Sequence, residues 1–459
     1  MPNSTGIHCY KLCGYNIVLD IASGAVHSVD DLAFDAISKY NDFDDKSELV
    51  LFLSEKHPNV IDNEIISLSE DIKQLIIQGK LFSADTRKKI LNSQFSILNS
   101  LKALCLNVSH SCNMSCAYCF ANYASCGAGD DSFMSLETGK RAIDFLIENS
   151  GNIKTLDVDF FGGEPLLNWD VVKGIVLYAR GLEQKCNKKL RFTLTTNGVL
   201  IDDEVIRFTG SHMHNVVLSL DGRPEVHDKY RKLLGGSGSY SDVVSKFRKL
   251  VEARRGKGYY IRGTYTRENL DFLNDILHIA DLGFKEISLE PVVGVPGTAF
   301  EIAADDLVTV FDQYEALAVE MLRREVIGQG FSFYHFNLDL KKGPCVHKRI
   351  AGCGVAESYL AVTPKGELFP CHQFVGDDKF KMGDIWQSVN NNELKGKFSS
   401  ANIYTQSKCR DCWARFYCSG GCAANNFYSG GGFGGLYQLG CEIFKKRIEC
   451  AIMMQAAKM

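Results

Sequence analysis

Short apolar runs separated by helical stretches dominate the middle of the chain. Between them lie segments such as Ser135–Asn149, where Ser135 can cap a helix and Ile143, Leu146 and Ile147 share one face. Strands that alternate with helices form a parallel sheet with right-handed crossovers, either open or closed into a partial barrel. The predicted strands are Ala103–Ser109, Thr155–Phe161, Leu190–Thr195, Asn215–Leu220, Tyr259–Tyr265 and Lys285–Glu290.

The first part of the chain has a different pattern. Two apolar runs, Tyr15–Leu19 and Ala25–Val29, flank a Ser23-Gly24 turn and predict a hairpin. Three amphipathic stretches then predict helices at Asp30–Tyr40, Ser47–Lys56 and Asp62–Gln78. A hairpin with three helices predicts a small winged-helix-like module.

The last part of the chain has few periodic segments. It contains eight cysteines from Cys345 to Cys441 and a glycine-rich stretch, 430–435, that predicts a flexible loop. We therefore predict four regions: a module at 1–82, a polar linker at 83–102, the α/β domain at 103–330 and a cysteine-rich domain at 331–459.

Composition narrows the class of protein. The chain has 459 residues and a formal net charge of -4, which gives no electrostatic case for binding nucleic acid or an anionic membrane. No apolar run is long enough to span a bilayer, and the N-terminus has no secretory signal pattern. We therefore expect a cytoplasmic protein, where thiols stay reduced and clustered cysteines indicate metal or catalytic sites. There are 17 cysteines.

The most informative motif follows the first predicted strand of the α/β domain. Cys112, Cys116 and Cys119 form a C-x3-C-x2-C pattern on one short loop. Three thiolates can bind three irons of a [4Fe–4S] cluster, which normally takes four cysteines. The fourth iron is then open to another ligand. A structural zinc site would normally need four protein ligands.

Polar and glycine-rich segments end the other predicted strands. Gly162-Gly163-Glu164-Pro165 follows the second, Asn197 the third and Ser219 the fourth, while Arg262 lies in the fifth. Because parallel strands end at the same edge of a sheet, these residues predict a site at that edge. Asp221-Gly222 is compatible with either a turn or a role in this site.

The cysteine loop with Tyr118 before its last cysteine, followed by Gly-Gly-Glu-Pro, resembles the radical S-adenosylmethionine (SAM) superfamily. The resemblance implies that SAM binds the open iron and is reductively cleaved to a 5'-deoxyadenosyl radical. It implies that Gly162, Gly163 and Glu164 meet the SAM ammonium and that the Tyr118 backbone meets adenine. It further implies that Asn197 and Ser219 contact the ribose and carboxylate, and that Arg262 binds the carboxylate.

The later cysteines resemble the SPASM domain, which houses two auxiliary [4Fe–4S] clusters and would bring the total to three. The resemblance implies that Cys353, Cys371 and Cys422 bind the first auxiliary cluster, with Cys345 an open question. The second set is Cys409, Cys412, Cys418 and Cys441. A zinc ribbon built on the two pairs Cys409/Cys412 and Cys418/Cys422 is the alternative.

His372 follows Cys371 directly. In sulfatase-maturing relatives an Asp follows the corresponding cysteine and serves as a base, so the His weakens the sulfatase-maturase interpretation. We consider His372 a candidate catalytic base, with a purely hydrogen-bonding role as the alternative.

The N-terminal module resembles a RiPP recognition element. Maturases of SCIFF (six-cysteines-in-forty-five) peptides are similar to this chain in the order of the regions, in the stretch Tyr15–Asp31 and in the string Cys371-His372-Gln373-Phe374-Val375-Gly376. This resemblance implies a cysteine-rich precursor peptide, bound through its leader by strand addition and crosslinked by thioether bonds. It implies a reductant such as flavodoxin or ferredoxin. The alternatives are another SPASM peptide oxidase, forming carbon–carbon bonds or maturing sulfatases, and a non-enzymatic zinc-stabilised peptide adaptor.

Overall fold

A computed structural model describes residues 6–87, 100–119, 132–293, 298–340 and 346–458. Most of the predicted linker, as well as Cys345, lies outside these residues. The strands are β1 Ile7–Leu12, β2 Tyr15–Asp20, β3 Val26–Val29, β4 Ala103–Ser109, β5 Thr155–Gly162, β6 Lys189–Thr196, β7 Asn215–Ser219, β8 Gly258–Tyr265, β9 Glu286–Pro291, β10 Ser332–Phe333, β11 Tyr359–Val362, β12 Glu367–Phe369, β13 Gly383–Asp384 and β14 Ser388–Val389.

The described helices fall into three groups along the chain. The first group is α1 Asp31–Lys39, α2 Lys46–Lys56 and α3 Asp62–Ile77. The second is α4 Leu136–Glu148, α5 Trp169–Cys186, α6 Asp203–His212, α7 Pro224–Tyr230, α8 Tyr240–Ala253, α9 Phe272–Asp281 and α10 Leu307–Val326. The third is α11 Val346–Ala351, α12 Asn392–Ser400, α13 Ser407–Arg410, α14 Arg415–Cys418, α15 Ala423–Gly430 and α16 Gln438–Ala456.

The N-terminal region is a three-stranded antiparallel sheet, ordered β1-β2-β3, packed on α1–α3. Asp30 and Asp45 accept hydrogen bonds from backbone N–H groups in the first turns of α1 and α2, as N-caps. The sequence predicted only the hairpin formed by β2 and β3 and missed β1, so the observed sheet has one strand more than expected. Val18, Ile37, Leu53 and Ile65 belong to a hydrophobic core separate from that of the rest of the protein.

The central region is a parallel sheet in which β4 to β9 follow one another in chain order, with β10 added beyond β9. All six strands predicted there are present. Residues such as Val158, Leu218 and Ile261 are buried in the main core. The residues that alternate with them, including Asp159, Ser219 and Arg262, face the other way. We call this second surface, which also carries Glu290, the inner face.

The C-terminal region continues the same sheet. β11 pairs in parallel with β4, and β12, β13 and β14 extend the sheet through antiparallel pairs. Asn107 in β4 donates from Nδ2 to the Val362 carbonyl at 3.4 Å. The result is an 11-stranded sheet in which β4 lies between β5 and β11. The predicted α/β class with a partial barrel is confirmed.

Helix α16 packs against α10 and against the N-terminal sheet. Its Glu449 binds β1, since the His8 ring nitrogen lies 3.0 Å from the carboxylate and the Tyr10 hydroxyl donates to the Glu449 carbonyl at 3.0 Å. His8 also stacks on Trp413 with 3.9 Å between ring centroids. The N-terminal sheet is therefore fixed to the C-terminal region. None of the described helices is both long and apolar enough to cross a membrane.

Candidate functional site

The cysteine loop, residues 112–119, begins three residues after β4. A segment that follows α7 holds it by backbone hydrogen bonds, in which Ser115 N–H donates to Lys232 O at 2.9 Å and Ala117 N–H to Tyr230 O at 3.0 Å. The three cysteines are partly exposed. Burial raises the pKa of Cys112 to about 12, with Glu164 and the other two thiols adding to the rise.

The Gly-Gly segment at the end of β5 lies directly under this loop. Gly162 has φ +128°, and a Cβ there would lie 2.1 Å from the Ser109 carbonyl oxygen. A Cβ on Gly163 would lie 2.2 Å from the Ser111 carbonyl oxygen. Only glycine allows the two backbones to approach this closely, so the pair fixes the height of the cysteine loop over the sheet.

Glu164 is buried and accepts three hydrogen bonds from the chain. They come from Thr196 Oγ1 at 2.7 Å, Asn197 N–H at 2.8 Å and Leu166 N–H at 3.0 Å. Burial raises the pKa of Glu164 to about 7, although these donors oppose the rise. The carboxylate therefore ties the end of β5 to the end of β6. Its contact with the SAM ammonium stays a prediction.

Asn197 is directed at the cysteine loop. Its Nδ2 donates to Asn113 Oδ1 at 2.8 Å and lies 3.8 Å from Cys112 Sγ. Asn113 Nδ2 is buried and has no hydrogen-bond partner among the described residues. A buried amide donor beside a cysteine ligand fits an acceptor such as a cluster sulfide.

Ser219 and Arg262 are Cα partners on β7 and β8, so they lie side by side on the inner face. Neither side chain makes a hydrogen bond to another described residue. The Arg262 guanidinium is exposed and interacts with the Glu290 carboxylate only at longer range, so it fits an anionic ligand such as the SAM carboxylate.

A charged network joins the cysteine loop to the end of β7. Asp221 is fully buried, accepts from Thr264 N–H at 2.9 Å and lies 3.0 Å from Arg231 Nε. The Tyr118 hydroxyl donates to Asp221, and the Arg231 guanidinium lies 5.5 Å from the Tyr118 ring centroid. Asp221 lies in the predicted turn and also contacts the cysteine loop directly, through the Tyr118 hydroxyl. Arg231 was not predicted.

Three of the cysteines assigned to the first auxiliary set come together. The thiols of Cys353 and Cys422 both interact electrostatically with that of Cys371, and they interact with each other. Cys371 is buried, whereas Cys353 and Cys422 are exposed. Burial raises the pKa of both the Cys371 and the Cys422 thiol, and nearby backbone N–H groups oppose the rise. The Gln373 side-chain amide donates to Cys422 Sγ at 3.8 Å.

The four cysteines of the second set also lie close together. The Cys418 thiol interacts electrostatically with Cys441, Cys409 and Cys412, and Cys409 interacts with Cys441 and Cys412. Burial raises the pKa of Cys409 to about 11 and that of Cys418 to about 12. In the described part of the chain, no His, Cys, Asp or Glu group of three or more fits a single metal ion. A cubane differs, because each cysteine binds a different iron.

His372 is enclosed between the two regions. Its Nδ1 lies 3.1 Å from the Tyr359 hydroxyl, and its ring lies 5.0 Å from that of Phe161. Burial, reinforced by the Arg262 guanidinium, lowers the pKa of His372 to about 4. His372 therefore lies near Arg262 as a neutral imidazole, and its role as a base stays a prediction.

Comparison with known proteins identifies the central part of the chain. Residues 106–277 match the family described as the Radical SAM superfamily. This part of the chain is similar to that family and has the radical SAM fold, and we refer to it as the radical SAM domain. Among curated proteins, the chain is 23% identical over 358 residues to the radical SAM cyclopropyl synthase TigE of Paramaledivibacter caminithermalis. The match covers 70% of this chain and 68% of TigE.

Solved structures share the fold beyond the radical SAM domain. Native anSMEcpe with bound AdoMet superposes with a TM-score of 0.65 at 22% identity, covering 78% of this chain and 99% of that one. Streptococcus suis SuiB bound to its precursor peptide SuiA gives a TM-score of 0.56 at 16% identity. That match covers 94% of this chain and 97% of SuiB.

Sequence reasoning missed a second polar group on the inner face of the radical SAM domain. Glu290 accepts from Arg447 of α16 at 3.1 Å and lies 3.4 Å from His335 Nε2, while Arg447 also donates to the Tyr314 hydroxyl at 2.9 Å. His335, Arg447 and Arg262 together outweigh burial and lower the pKa of Glu290 to about 2. Glu290 at a strand end was the available signal, but Arg447 lies 157 positions away.

A groove of about 520 Å³ lies elsewhere, at the amino ends of β9 and β10. Lys285, Ser332, Phe336 and Met454 are among the residues that line it. None of the predicted site residues contributes to it. Its position at the opposite end of these strands separates it from the site of the radical SAM domain.

Proposed function

We propose that this protein is a radical SAM peptide maturase that forms thioether crosslinks in a cysteine-rich precursor peptide. The observation that carries the proposal is the arrangement of the cysteine loop, Arg262 and a second cysteine group around one inner face. Cys112, Cys116 and Cys119 would hold the cluster that binds SAM. Arg262 and Ser219 would hold the SAM carboxylate and ribose, and Gly162–Gly163 would meet its ammonium.

The chemistry follows from these assignments. When bound at a reduced cluster on the cysteine loop, SAM would supply the radical chemistry that removes one hydrogen atom from a carbon of the peptide. A cysteine thiol of the peptide loses its proton and bonds to that carbon, and one electron leaves. Each thioether bond therefore costs the peptide two hydrogens, one found in 5'-deoxyadenosine and one released as a proton.

The C-terminal cysteines would supply the electron acceptor. We propose a SPASM domain with two auxiliary [4Fe–4S] clusters, the first held by Cys353, Cys371 and Cys422. Cys422 interacts electrostatically with Glu290 on the inner face, which supports a position of this cluster close to the substrate. With three described ligands, an open iron would suit a thiolate of the peptide, a soft ligand. Cys345 is the candidate for a fourth ligand.

The N-terminal module would bind the leader of the precursor by strand addition. Among the described strands, β3 pairs only with β2, so its other edge is free. The His27 ring nitrogen lies 3.0 Å from the Lys80 carbonyl just after α3, where Ile77 is 76% exposed. An edge strand beside an exposed apolar helix suits an extended peptide. SuiB, which shares the fold, is bound to a precursor peptide.

The decisive experiment is anaerobic turnover of the reconstituted protein with SAM, dithionite and a precursor peptide encoded near its gene. We expect 5'-deoxyadenosine and a peptide lighter by two hydrogens for each bond. Tandem mass spectrometry after thiol alkylation should show that a cysteine is consumed. An oxidised peptide with all its thiols free would favour carbon–carbon crosslinking. Zinc with no iron would favour the adaptor.

Leader binding has its own test. Fluorescence polarisation of a labelled leader should show tight binding to the wild type and weak binding to Ser28→Pro, because the register of β3 on β2 directs the Ser28 N–H to the free edge and proline removes that donor. Ser28→Thr is the matched control and should bind like the wild type. Equal binding to all three would place the leader elsewhere.

A further inference from the structure

Arg231 is an arginine enclosed beside the cysteine loop. Its side chain is 13% exposed, and its Nε lies 3.0 Å from the carboxylate of the fully buried Asp221. The guanidinium also interacts electrostatically with the Cys116 thiol. Charged side chains are seldom buried unless they are paired, so this position needs an electrostatic explanation.

The backbone around Arg231 prevents it from moving away. The preceding Tyr230 and the following Lys232 are the two residues whose carbonyl oxygens accept from the cysteine loop. Met114 and Leu233 form an antiparallel bridge at the same place. The guanidinium is therefore built into the segment that positions the three cysteines, and a shift of one moves the other.

When the cysteines are protonated, the charges of Asp221 and Arg231 balance each other. When the cysteines bind iron as thiolates, the charges in this pocket no longer balance. Asp221 carries one negative charge, and Arg231 carries one positive charge. The Tyr118 hydroxyl, which donates to Asp221, draws that carboxylate toward the loop. The Arg231 guanidinium interacts electrostatically with the Cys116 sulfur, and this attraction would strengthen when the sulfur carries a negative charge. Thiolate is the form that binds iron.

We propose that Arg231 and Asp221 form a charge pair that sets the reduction potential of the cluster on the cysteine loop, with Tyr118 holding the pair against the loop. They are positioning residues, since the cysteines contact the iron. This inference rests on the proposed radical SAM function. Net charge and hydrogen bonds to cysteine sulfur are established determinants of cluster potential.

Removing one charge or the other of the pair should shift the reduction potential of the cluster in opposite directions. Arg231→Gln leaves a carboxylate beside the cluster, which disfavours an added electron, so the potential should become more negative. Asp221→Asn leaves a guanidinium, so the potential should become more positive. The double variant removes both charges and should return close to the wild type. Arg231→Lys keeps the charge and should restore most of the wild-type potential.

The measurement is an EPR-monitored redox titration of the holoenzyme, following the signal that changes when SAM is added. Iron content per chain is determined for each variant. Shifts of opposite sign, with near-cancellation in the double variant, would confirm the proposal. Shifts of the same sign, or an unchanged potential in Asp221→Asn, would overturn it. If Arg231→Gln retains no iron, Asp221→Asn and Arg231→Lys decide the question.

This outcome is separable from failure of the proposed function. A wild-type protein without a reducible cluster that responds to SAM would refute the radical SAM function itself. A wild type that cleaves SAM, with variants that retain iron and show no pattern of sign, would refute only the role of the charge pair. Tyr118→Phe keeps both charges and should shift the potential less than either charge variant.

Discussion

The cysteine loop and the C-terminal cysteines are held in different ways. A buried charge pair lies beside the loop: Arg231 interacts electrostatically with the Cys116 thiol, and Asn197 Nδ2 lies 3.8 Å from Cys112 Sγ. Cys371 is followed instead by an aromatic cluster centred on Phe374 and Phe380, and the Gln373 amide donates to Cys422 Sγ at 3.8 Å. A buried charge can adjust the potential of a redox site, whereas packed rings hold a site in place. We therefore expect charge substitutions to act most strongly at the cysteine loop and packing substitutions at the C-terminal cysteines.

The largest effect expected from this comparison is loss of radical formation. Cys116→Ala should reduce 5'-deoxyadenosine formation to background and remove about four irons per chain, one cubane. Cys412→Ala should lose iron from the second auxiliary set and still cleave SAM. Cys13→Ala, at an exposed cysteine outside every set, is the control. SAM cleavage by Cys116→Ala at the wild-type rate would refute the assignment.

The aromatic cluster should contribute to the stability of the C-terminal region and not to that of the cysteine loop. Phe380 is 2% exposed and packs against Phe374 with ring centroids 4.3 Å apart. Phe380→Ala should lower the free energy of unfolding by about 3–5 kcal/mol, because it empties a packed site. Tyr428→Ala, at the half-exposed edge of the cluster, should cost much less.

The readout is thermal unfolding combined with the iron count. Phe380→Ala should lose auxiliary iron first and keep the cluster that responds to SAM. Equal loss of iron from all three sites would show that the two regions are not held independently.

Steric contact under the cysteine loop gives a smaller effect. Gly163→Ala places a methyl group 2.2 Å from the Ser111 carbonyl oxygen, so the loop must rise. Overpacking of this kind costs about 1–3 kcal/mol. We expect reduced iron occupancy at the loop and slower SAM cleavage. Gly181→Ala is the matched control, since a Cβ there meets nothing within 4 Å. Identical behaviour of the two variants would contradict the close approach.

The smallest effect is a pH dependence confined to the side of the cysteine loop. His227 is buried, accepts from Asp221 N–H at 3.3 Å and lies 2.9 Å from Ser239 Oγ. Burial lowers the pKa of His227 to about 4, with Arg231 acting in the same sense and Asp221 and Asp228 opposing it. The neutral imidazole is therefore the folded form. Its contribution to stability is present above pH 6.5 and is lost as the pH falls toward 4.

The expected loss is about 1.4 kcal/mol per pH unit in that window. Melting temperatures at pH 7.5, 6.5 and 5.5 should fall more steeply for the wild type than for His227→Asn. His27→Asn, at a histidine on β3, should retain the wild-type slope. A slope unchanged by His227→Asn would show that another group controls the acid sensitivity.

Much of the central fold could be predicted from the sequence. Ala103–Ser109 was predicted with its observed bounds, and the other five strands of the domain differ by one residue at one or both ends. In β5 to β8, buried apolar residues alternate with less buried ones, which is the period-two pattern of a strand with one side packed in the core. Strand β1 was missed because His8 and Tyr10 face α16 and Trp413, which breaks the usual alternation.

The site could be predicted only as far as local spacing reaches. The cysteine pattern and the Gly-Gly-Glu segment can be recognised in the sequence because each lies within one loop. Arg231 and Arg447 do not, since each acts on residues brought close by the fold alone. Tyr118 and Asp221 are 103 positions apart. The sequence also did not show that the polar atoms of Glu164 and Asn197 make hydrogen bonds to neighbouring chain segments.

The pairing of β4 with β11 has a consequence for synthesis on the ribosome. The strand that leads into the cysteine loop gains its second neighbour only when Val362 has emerged, 255 positions after Asn107. Until then β4 presents an open edge, which is a template for misassociation. Contacts this distant along the chain also form slowly. We therefore expect the cysteine loop to reach its final position only after β11 has paired with β4.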